Sequence, residues 1–253
     1  ERLQLYLNYD QPCNAEERYR FKAAIKRRIK REPVAYILGH REFWSLALAV
    51  DQQVLIPRPE TECLVEKALD ILATQPDSER QHILELGTGS GAILLALASE
   101  NGRHTYWGTD ISAAAIRVAR RNFMHHGLNA NIQLVVADWF APFATRKVLF
   151  DMILSNPPYI KTGDFEQLQP EIEAYEPRLA LDGSADGLQC LRHIIQTAHR
   201  YLKPGGTLLL EMGHDQKAPL EHIIKRCGRY ENADFYKDYG GFDRIAAVRK
   251  KLS

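Results

Sequence analysis

Apolar and polar positions along the chain follow two regimes that meet near residues 57 to 76. After Pro76, short apolar runs of strand length alternate with longer amphipathic stretches of helical period. Strands are expected at Ile83-Leu84-Glu85-Leu86, Thr105 to Thr109, Ile132 to Val136, Met152-Ile153-Leu154 and Thr207 to Leu210. Helices are expected at Ala92 to Ser99, Ser112 to His126 with Ser112 as the cap, Gly187 to Leu202 and Gln216 to Arg226. Lys203-Pro204-Gly205-Gly206 is expected to stop the helix that begins at Gly187. Alternation of this kind means a parallel sheet covered on both faces. Two late strands, near Asn232 to Lys237 and Arg244 to Val248, are joined only by Asp238-Tyr239-Gly240-Gly241-Phe242-Asp243, too short for a crossover helix. They are expected to pair as an antiparallel hairpin. The expected fold class is α/β, a seven-stranded Rossmann-like sheet with an antiparallel C-terminal hairpin.

Ahead of the join the pattern is different. Residues 14 to 31 have helical periodicity, and Arg18, Arg20, Lys22, Lys26, Arg27, Arg28, Lys30 and Arg31 carry no acid among them. That stretch reads as the solvated face of an amphipathic helix, or as a docking face for a nucleic acid or an acidic partner. Tyr36-Ile37-Leu38, Phe43-Trp44-Ser45-Leu46 and Val54-Leu55-Ile56 are β-prone, with turns expected at Gly39-His40 and Asp51-Gln52, so a hairpin is expected. Pro57-Arg58-Pro59 breaks the chain, and a helix resumes from Glu60 to about Thr74. The chain thus divides into residues 1–34, 35–75 and 76–253.

Composition narrows the class. The 253 residues are 45% hydrophobic and 26% charged, an ordinary globule with room for a core. A net charge of +1 gives no general push toward nucleic acid or membrane. Cys13, Cys63, Cys190 and Cys227 lie far apart without ligand-like spacing, so reduced thiols in a cytoplasmic protein are expected, and no metal site. No apolar stretch is long enough to span a bilayer. The first residue is Glu1 rather than Met, which fits a fragment or a processed form.

The chemistry begins at Gly87-Thr88-Gly89-Ser90-Gly91, between the first strand and first helix of the sheet. Glycine there lets the backbone turn sharply and approach a ligand, and the helix N-terminus offers free N–H groups. Gly87, Gly89 and Ala92 also fit the dinucleotide pattern, so this loop alone does not choose a cofactor. Asp110 ends the second strand, where an acid can accept both ribose hydroxyls. Asp138 follows the third strand and can read an adenine amino group, with the Trp139 ring packing on the adenine face. Glu85 is expected to prop the loop rather than touch ligand.

Ser155-Asn156-Pro157-Pro158-Tyr159 falls at the carboxyl end of the fourth strand, where open α/β sheets bind ligands. A planar amide or exocyclic amine is a poor nucleophile because its lone pair is delocalised. A site that methylates it must hold both N–H bonds so that the lone pair faces the methyl donor. The Asn156 side-chain oxygen supplies one acceptor and the Pro157 carbonyl the other, with Pro158 biasing residue 157 into an extended conformation. Tyr159 adds an aromatic face for a flat group. These parts fit a S-adenosylmethionine-dependent methyltransferase acting on a planar nitrogen, and the tetrapeptide alone serves an adenine amine or a carboxamide equally.

The flanking segments separate those two. Arg41-Glu42-Phe43-Trp44-Ser45-Leu46, Leu55-Ile56-Pro57-Arg58-Pro59-Glu60-Thr61-Glu62, Tyr175-Glu176-Pro177-Arg178, Leu181-Asp182-Gly183, Asp186-Gly187-Leu188 and Asp238-Tyr239-Gly240 resemble the bacterial release-factor glutamine methyltransferases. The resemblance runs from about residue 30 to residue 250. It implies S-adenosylmethionine as donor, held by Gly87 to Gly91, Asp110, Trp139 and Asn156, and substrate bound by Asn156 to Tyr159. It implies as substrate the glutamine of the Gly-Gly-Gln loop of peptide-chain release factors. Residues 1–34 then correspond to the last part of a longer helical domain, and the basic helix would help hold the release factor. Pro59 stands where the sibling family acting on a ribosomal protein has serine. An adenine-N6 nucleic-acid methyltransferase is the alternative; it requires a target-recognition domain and a basic cleft, and the sequence has neither an inserted domain nor an excess of charge. A monomer is expected. Arg58 and Glu60 are expected to pin the hairpin to the sheet.

Overall fold

The computed structural model describes residues 2–76, 79–145 and 149–252. Its first elements are helices α1 (Arg2–Leu7), α2 (Ala15–Ile29) and α3 (Val34–Leu38), the hairpin strands β1 (His40–Phe43) and β2 (Leu46–Ala49), and α4 (Glu62–Ala73). There follow β3 (His82–Leu86), α5 (Ala92–Glu100), β4 (Thr105–Asp110), α6 (Ala113–His125), β5 (Ile132–Val136), β6 (Phe150–Ser155) and α7 (Pro170–Tyr175). The chain closes with α8 (Gln189–Ala198), β7 (Leu202–Glu211), α9 (Lys217–Cys227), β8 (Asp234–Lys237) and β9 (Asp243–Arg249).

The 7-stranded sheet has the order β5-β4-β3-β6-β7-β9-β8, parallel from β5 to β7 and antiparallel through β9 and β8. Strand alternation sorts its residues between two cores. Ile83, Met152, Leu154 and Leu209 face α4, α5 and α6, while Leu84, Leu86, Ile153, Leu208 and Leu210 face α8 and α9. The central strands are apolar on both faces because both are covered, as parallel sheets require. Helix α5 is buried from Ala92 to Ala98, which explains its almost wholly apolar sequence. Ser112 caps α6 by accepting the Ala115 N–H.

The hairpin sits over α6. Tyr36, Val50, Val54 and Ile56 pack on Ala115 and Val118. Asn122 fixes that seating, accepting from Ala49 N at 2.8 Å and donating from Nδ2 to the carbonyls of Ala49 (3.1 Å) and Ser90 (2.8 Å). One buried amide therefore ties the hairpin to the glycine loop.

Three expectations are corrected. The Tyr36 to Leu38 run is helical, since it begins after Pro33 and is closed by Gly39 at φ 77. The hairpin turn is Trp44-Ser45, flanked by the Phe43↔Leu46 pair, and Val54 to Ile56 lies outside any strand. Both turn residues have positive φ (52 and 56), the twist a two-residue hairpin favours, and Trp44 is held there by its N–H on Glu62 (2.8 Å) and its indole on Glu100 (2.7 Å). Finally, α8 stops at Ala198 and β7 already begins at Leu202. Lys203 to Gly206 are absorbed as an irregularity where the β6–β7 register passes from Phe150↔Leu202 to Met152↔Thr207.

The basic segment forms α2, capped by Asn14 and Glu17, which exchange hydrogen bonds of 2.9 and 2.8 Å. Part of its charge is used internally. Arg27 pairs with Glu32, and Arg28 and Arg31 pair with Glu171 at 2.8 and 2.9 Å. No helix among the described residues is long and apolar enough to cross a membrane.

Candidate active site

The carboxyl ends of β3, β4, β5 and β6 open into a cavity of about 340 Å³, the place where an open α/β sheet binds its ligand. Gly87, Gly89, Asp110, Asp138, Trp139 and Asn156 line it. The glycine loop divides by direction. Gly89 has φ +54, and a Cβ built on it meets nothing within 4 Å, so a side chain there would stand in empty space. Gly91 points the other way: a Cβ would meet a Phe123 ring carbon at 2.9 Å and Ala119 at 3.2 Å, so this glycine lets α5 approach α6.

Thr88 and Ser90 are also turned inward and both are buried. The Thr88 hydroxyl donates to Glu85 at 2.5 Å, and the Ser90 carbonyl accepts from Asn122. Of the loop residues expected at the cofactor, Gly87 and Gly89 front the cavity, while Thr88, Ser90 and Gly91 brace it from behind. Glu85 is buried and serves the loop. Burial pushes its carboxyl up to about 8, with the Thr88 hydrogen bond opposing the rise.

Asp110 accepts from Gly89 N at 2.9 Å with one carboxylate oxygen and from Ser112 N at 2.8 Å with the other. Burial raises its pKa and these two bonds lower it. Each oxygen retains a lone pair for a further donor in the cavity. Asp138 is exposed on the rim, and Trp139 has φ +45. The Trp139 ring packs against the α8–α9 core and lies 6.1 Å from the His193 ring, so it lines the cavity and the core at once.

The second half of the site starts at Ser155, whose hydroxyl donates to the Leu86 carbonyl at 2.7 Å and fastens β6 to β3. Asn156 projects into the cavity, and its Nδ2 donates to the Thr61 hydroxyl at 3.2 Å. The amide oxygen has no partner among the described residues, so it is the open acceptor of this side chain. Pro158 lines the cavity, Pro157 is buried, and Tyr159 is half-buried with its hydroxyl donating to Glu211 at 3.3 Å. Burial and the Glu211 charge raise the Tyr159 pKa far above the ordinary range, so it remains a phenol. The Tyr159 carbonyl accepts from Gln216 Nε2 at 3.0 Å, and Ile160 exchanges backbone bonds with Leu181 (3.0 Å) and Gly183 (2.8 Å). Motif backbone is therefore held on its far side as well.

The opposite wall was not read from the sequence. It comes from Gln52, Val54 and Leu55 after the hairpin and from Pro177, Leu179 and Ala180 after α7. A buried carboxylate joins these segments: Glu176 accepts from Ile56 N at 3.2 Å and pairs with Arg58. Arg58 thus pins the hairpin exit to the loop after α7 rather than, as expected, to the sheet. The signal was available, because Leu55-Ile56, Arg58 and Glu176 all lie in the segments that carried the resemblance, though nothing in their spacing said that they meet.

A parallel-sheet cavity with this loop, this acid and this tetrapeptide defines a methyltransferase domain, and residues 77–244 match the family described as methyltransferase domain. Residues 1–39 match the PrmC N-terminal domain. The release factor glutamine methyltransferase of Geobacter sulfurreducens is 41% identical over 249 residues, 98% of this chain and 84% of that protein. The one from Agrobacterium fabrum is 41% identical over 244 residues, 95% of this chain and 82% of that protein. Among solved structures, the human methyltransferase 10 domain containing protein superposes with a TM-score of 0.63 at 18% identity, covering 92% of this chain and 98% of that one, a likeness of fold. The chain belongs to the release factor glutamine methyltransferase family.

Proposed function

We propose that this protein transfers the methyl group of S-adenosylmethionine to the side-chain amide nitrogen of the glutamine in the Gly-Gly-Gln loop of a peptide-chain release factor. Family membership supports the substrate, and one geometric observation supports the chemistry: Asn156 commits its Nδ2 to Thr61 and keeps its oxygen open at the cavity.

The residues present fit the donor. Gly87 and Gly89 leave the loop side of the cavity free of side chains, and Asp110, Asp138 and Trp139 line the same cavity; in this reading Asp110 takes the ribose hydroxyls and Asp138 with Trp139 the adenine. Bound there, the donor supplies an electrophilic sulfonium methyl. Asn156 Oδ1 and the Pro157 carbonyl accept the two N–H bonds of the substrate carboxamide, which turns the nitrogen lone pair toward that methyl. The same two acceptors meet the positive charge that develops on nitrogen. The nitrogen becomes acidic as it gains carbon, so no strong base is needed, and orientation carries the rate; such positioning is worth on the order of 7–11 kcal/mol.

The test is Asn156→Ala. Wild-type protein transfers label from donor to a release factor; the variant binds donor with unchanged affinity by calorimetry and loses turnover. Undiminished turnover in the variant contradicts the assignment of Asn156 as amide acceptor.

A further inference from the structure

Glu211, at the carboxyl end of β7, is a charge-bearing group that the chemistry above does not use. It is 1% exposed. Its Oε1 accepts from the Tyr159 hydroxyl at 3.3 Å, and its Oε2 is fully buried with no partner at hydrogen-bond geometry among the described residues. Thr61 is among the groups that act on this carboxyl, favouring its charged form. Thr61 is itself buried, and its oxygen already accepts the Nδ2–H of Asn156 at 3.2 Å, which leaves the hydroxyl proton to be donated. Tyr159 of the tetrapeptide thus reaches Glu211 directly, and Asn156 ends on a Thr61 hydroxyl whose proton is available to that carboxyl.

We propose that Glu211 is a positioning residue for methyl transfer, holding Tyr159 by its phenol and fixing the orientation of the Asn156 amide through the Thr61 hydroxyl. This rests on the proposed function and adds to it the element that sets the acceptor. The number of protons shared among these groups sets the orientation of the amide. A Glu211 carboxylate has only lone pairs, so the Thr61 proton points to it and Thr61 shows only a lone pair to Asn156. Asn156 must answer with Nδ2–H, and its oxygen is left facing the cavity. A protonated Glu211 can instead donate to Thr61, whose own proton is then donated to the oxygen of a flipped Asn156 amide, withdrawing that oxygen and leaving the NH₂ facing the substrate. That arrangement repels the N–H bonds the site must hold.

The surrounding charges fit a group that changes state near neutrality. Burial raises the Glu211 carboxyl to about 7, with Glu60 adding to the rise. Thr61, Arg244 and the Tyr159 hydroxyl act in the opposite sense. Arg244 is held in turn by Asp238 at 3.1 Å, and Arg58 acts on Tyr159 from the hairpin side. Because the ionised form is the productive one, kcat falls as pH drops through that region.

The experiment measures kcat and KM against pH, with donor affinity by calorimetry, for wild type, Glu211→Gln, Thr61→Val and Thr61→Ser, using a release factor as substrate. Expected are an acid limb in wild-type kcat near pH 7, its absence in Glu211→Gln, and a kcat lowered roughly 10²-fold in Glu211→Gln and Thr61→Val, the scale of a misplaced reacting group. Donor affinity stays unchanged, and Thr61→Ser restores kcat because it restores the hydroxyl. An acid limb that persists in Glu211→Gln overturns the proposal, as does a Thr61→Val enzyme with wild-type kcat or a Thr61→Ser enzyme no better than Thr61→Val. Should Glu211→Gln fail to fold, the Thr61 pair decides alone. A wild-type protein that methylates no release factor instead removes the functional reading, and this inference falls with it.

Discussion

Two of the three glycines of the cofactor loop, Gly89 and Gly91, offer a prediction whose size follows from the structure. Gly91→Ala places a methyl 2.9 Å from the Phe123 ring and 3.2 Å from Ala119, at φ +81. The backbone conformation costs an alanine about 1–2 kcal/mol, and forcing a methyl into a packed α5–α6 contact about 1–3 kcal/mol. Together these give about 2–5 kcal/mol. Gly89→Ala bears only the first cost, because its methyl enters open cavity. For a chain of this size each kcal/mol lowers Tm by roughly 2–4 °C, so Gly91→Ala melts roughly 2–12 °C below Gly89→Ala. Donor binding ranks them in reverse, since only the Gly89 methyl occupies ligand space. Thermal melting followed by circular dichroism and donor titration by calorimetry read both quantities on the same samples. A Gly91→Ala protein that melts no lower than Gly89→Ala, or a Gly89→Ala protein with wild-type donor affinity, refutes the division of this loop into a cavity face and a packing face.

Other consequences are equally direct. Glu85 has its pKa raised to about 8 by burial, so its ionisation disfavours the fold, and its contribution to stability is lost as pH rises from the ordinary carboxyl range toward 8. Glu85→Gln removes that loss; its Tm relative to wild type is expected to climb between pH 5 and pH 8, and a pH-independent difference counts against it. Arg58→Ala leaves the buried Glu176 carboxylate with only the Ile56 N–H and is expected to destabilise by about 1–3 kcal/mol, less than a fully buried pair because Arg58 is partly exposed. Denaturant midpoints unchanged in Arg58→Ala would show that the pair does not hold the two walls together. Trp44→Ala removes the indole bond to Glu100 and the packing of the hairpin against the α4–α5 core, with an expected loss of about 2–4 kcal/mol by the same measurement.

Much of this was legible along the chain, and the failures have physical causes. The parallel strands were readable because each is a short apolar run bounded by turn residues, and their order of motifs placed Gly87, Asp110, Asp138 and Asn156 at one edge. Hairpin register was not, because a turn through Trp44 and Ser45 carries none of the glycine or asparagine that marks positive φ; it is secured by Glu62 and Glu100 from distant helices. The Tyr36 to Leu38 run has strand propensity but is set as a helix by Pro33 and Gly39. Thr88 and Ser90 lie in the glycine loop and are buried, and the partners of Thr88 Oγ1 and the Ser90 carbonyl, Glu85 and Asn122, come from elements no loop pattern names. The Glu211–Thr61–Asn156 arrangement joins three separated segments and leaves no pattern in the sequence.

Glutamine as the accepting group is the centre of the account, and one comparison tests it. Label from the donor's methyl group is followed into a native release factor, into the same factor with the Gly-Gly-Gln glutamine replaced, and into duplex DNA. The account predicts label in the native factor alone. Equal labelling of the altered factor, or labelling of the DNA, contradicts it.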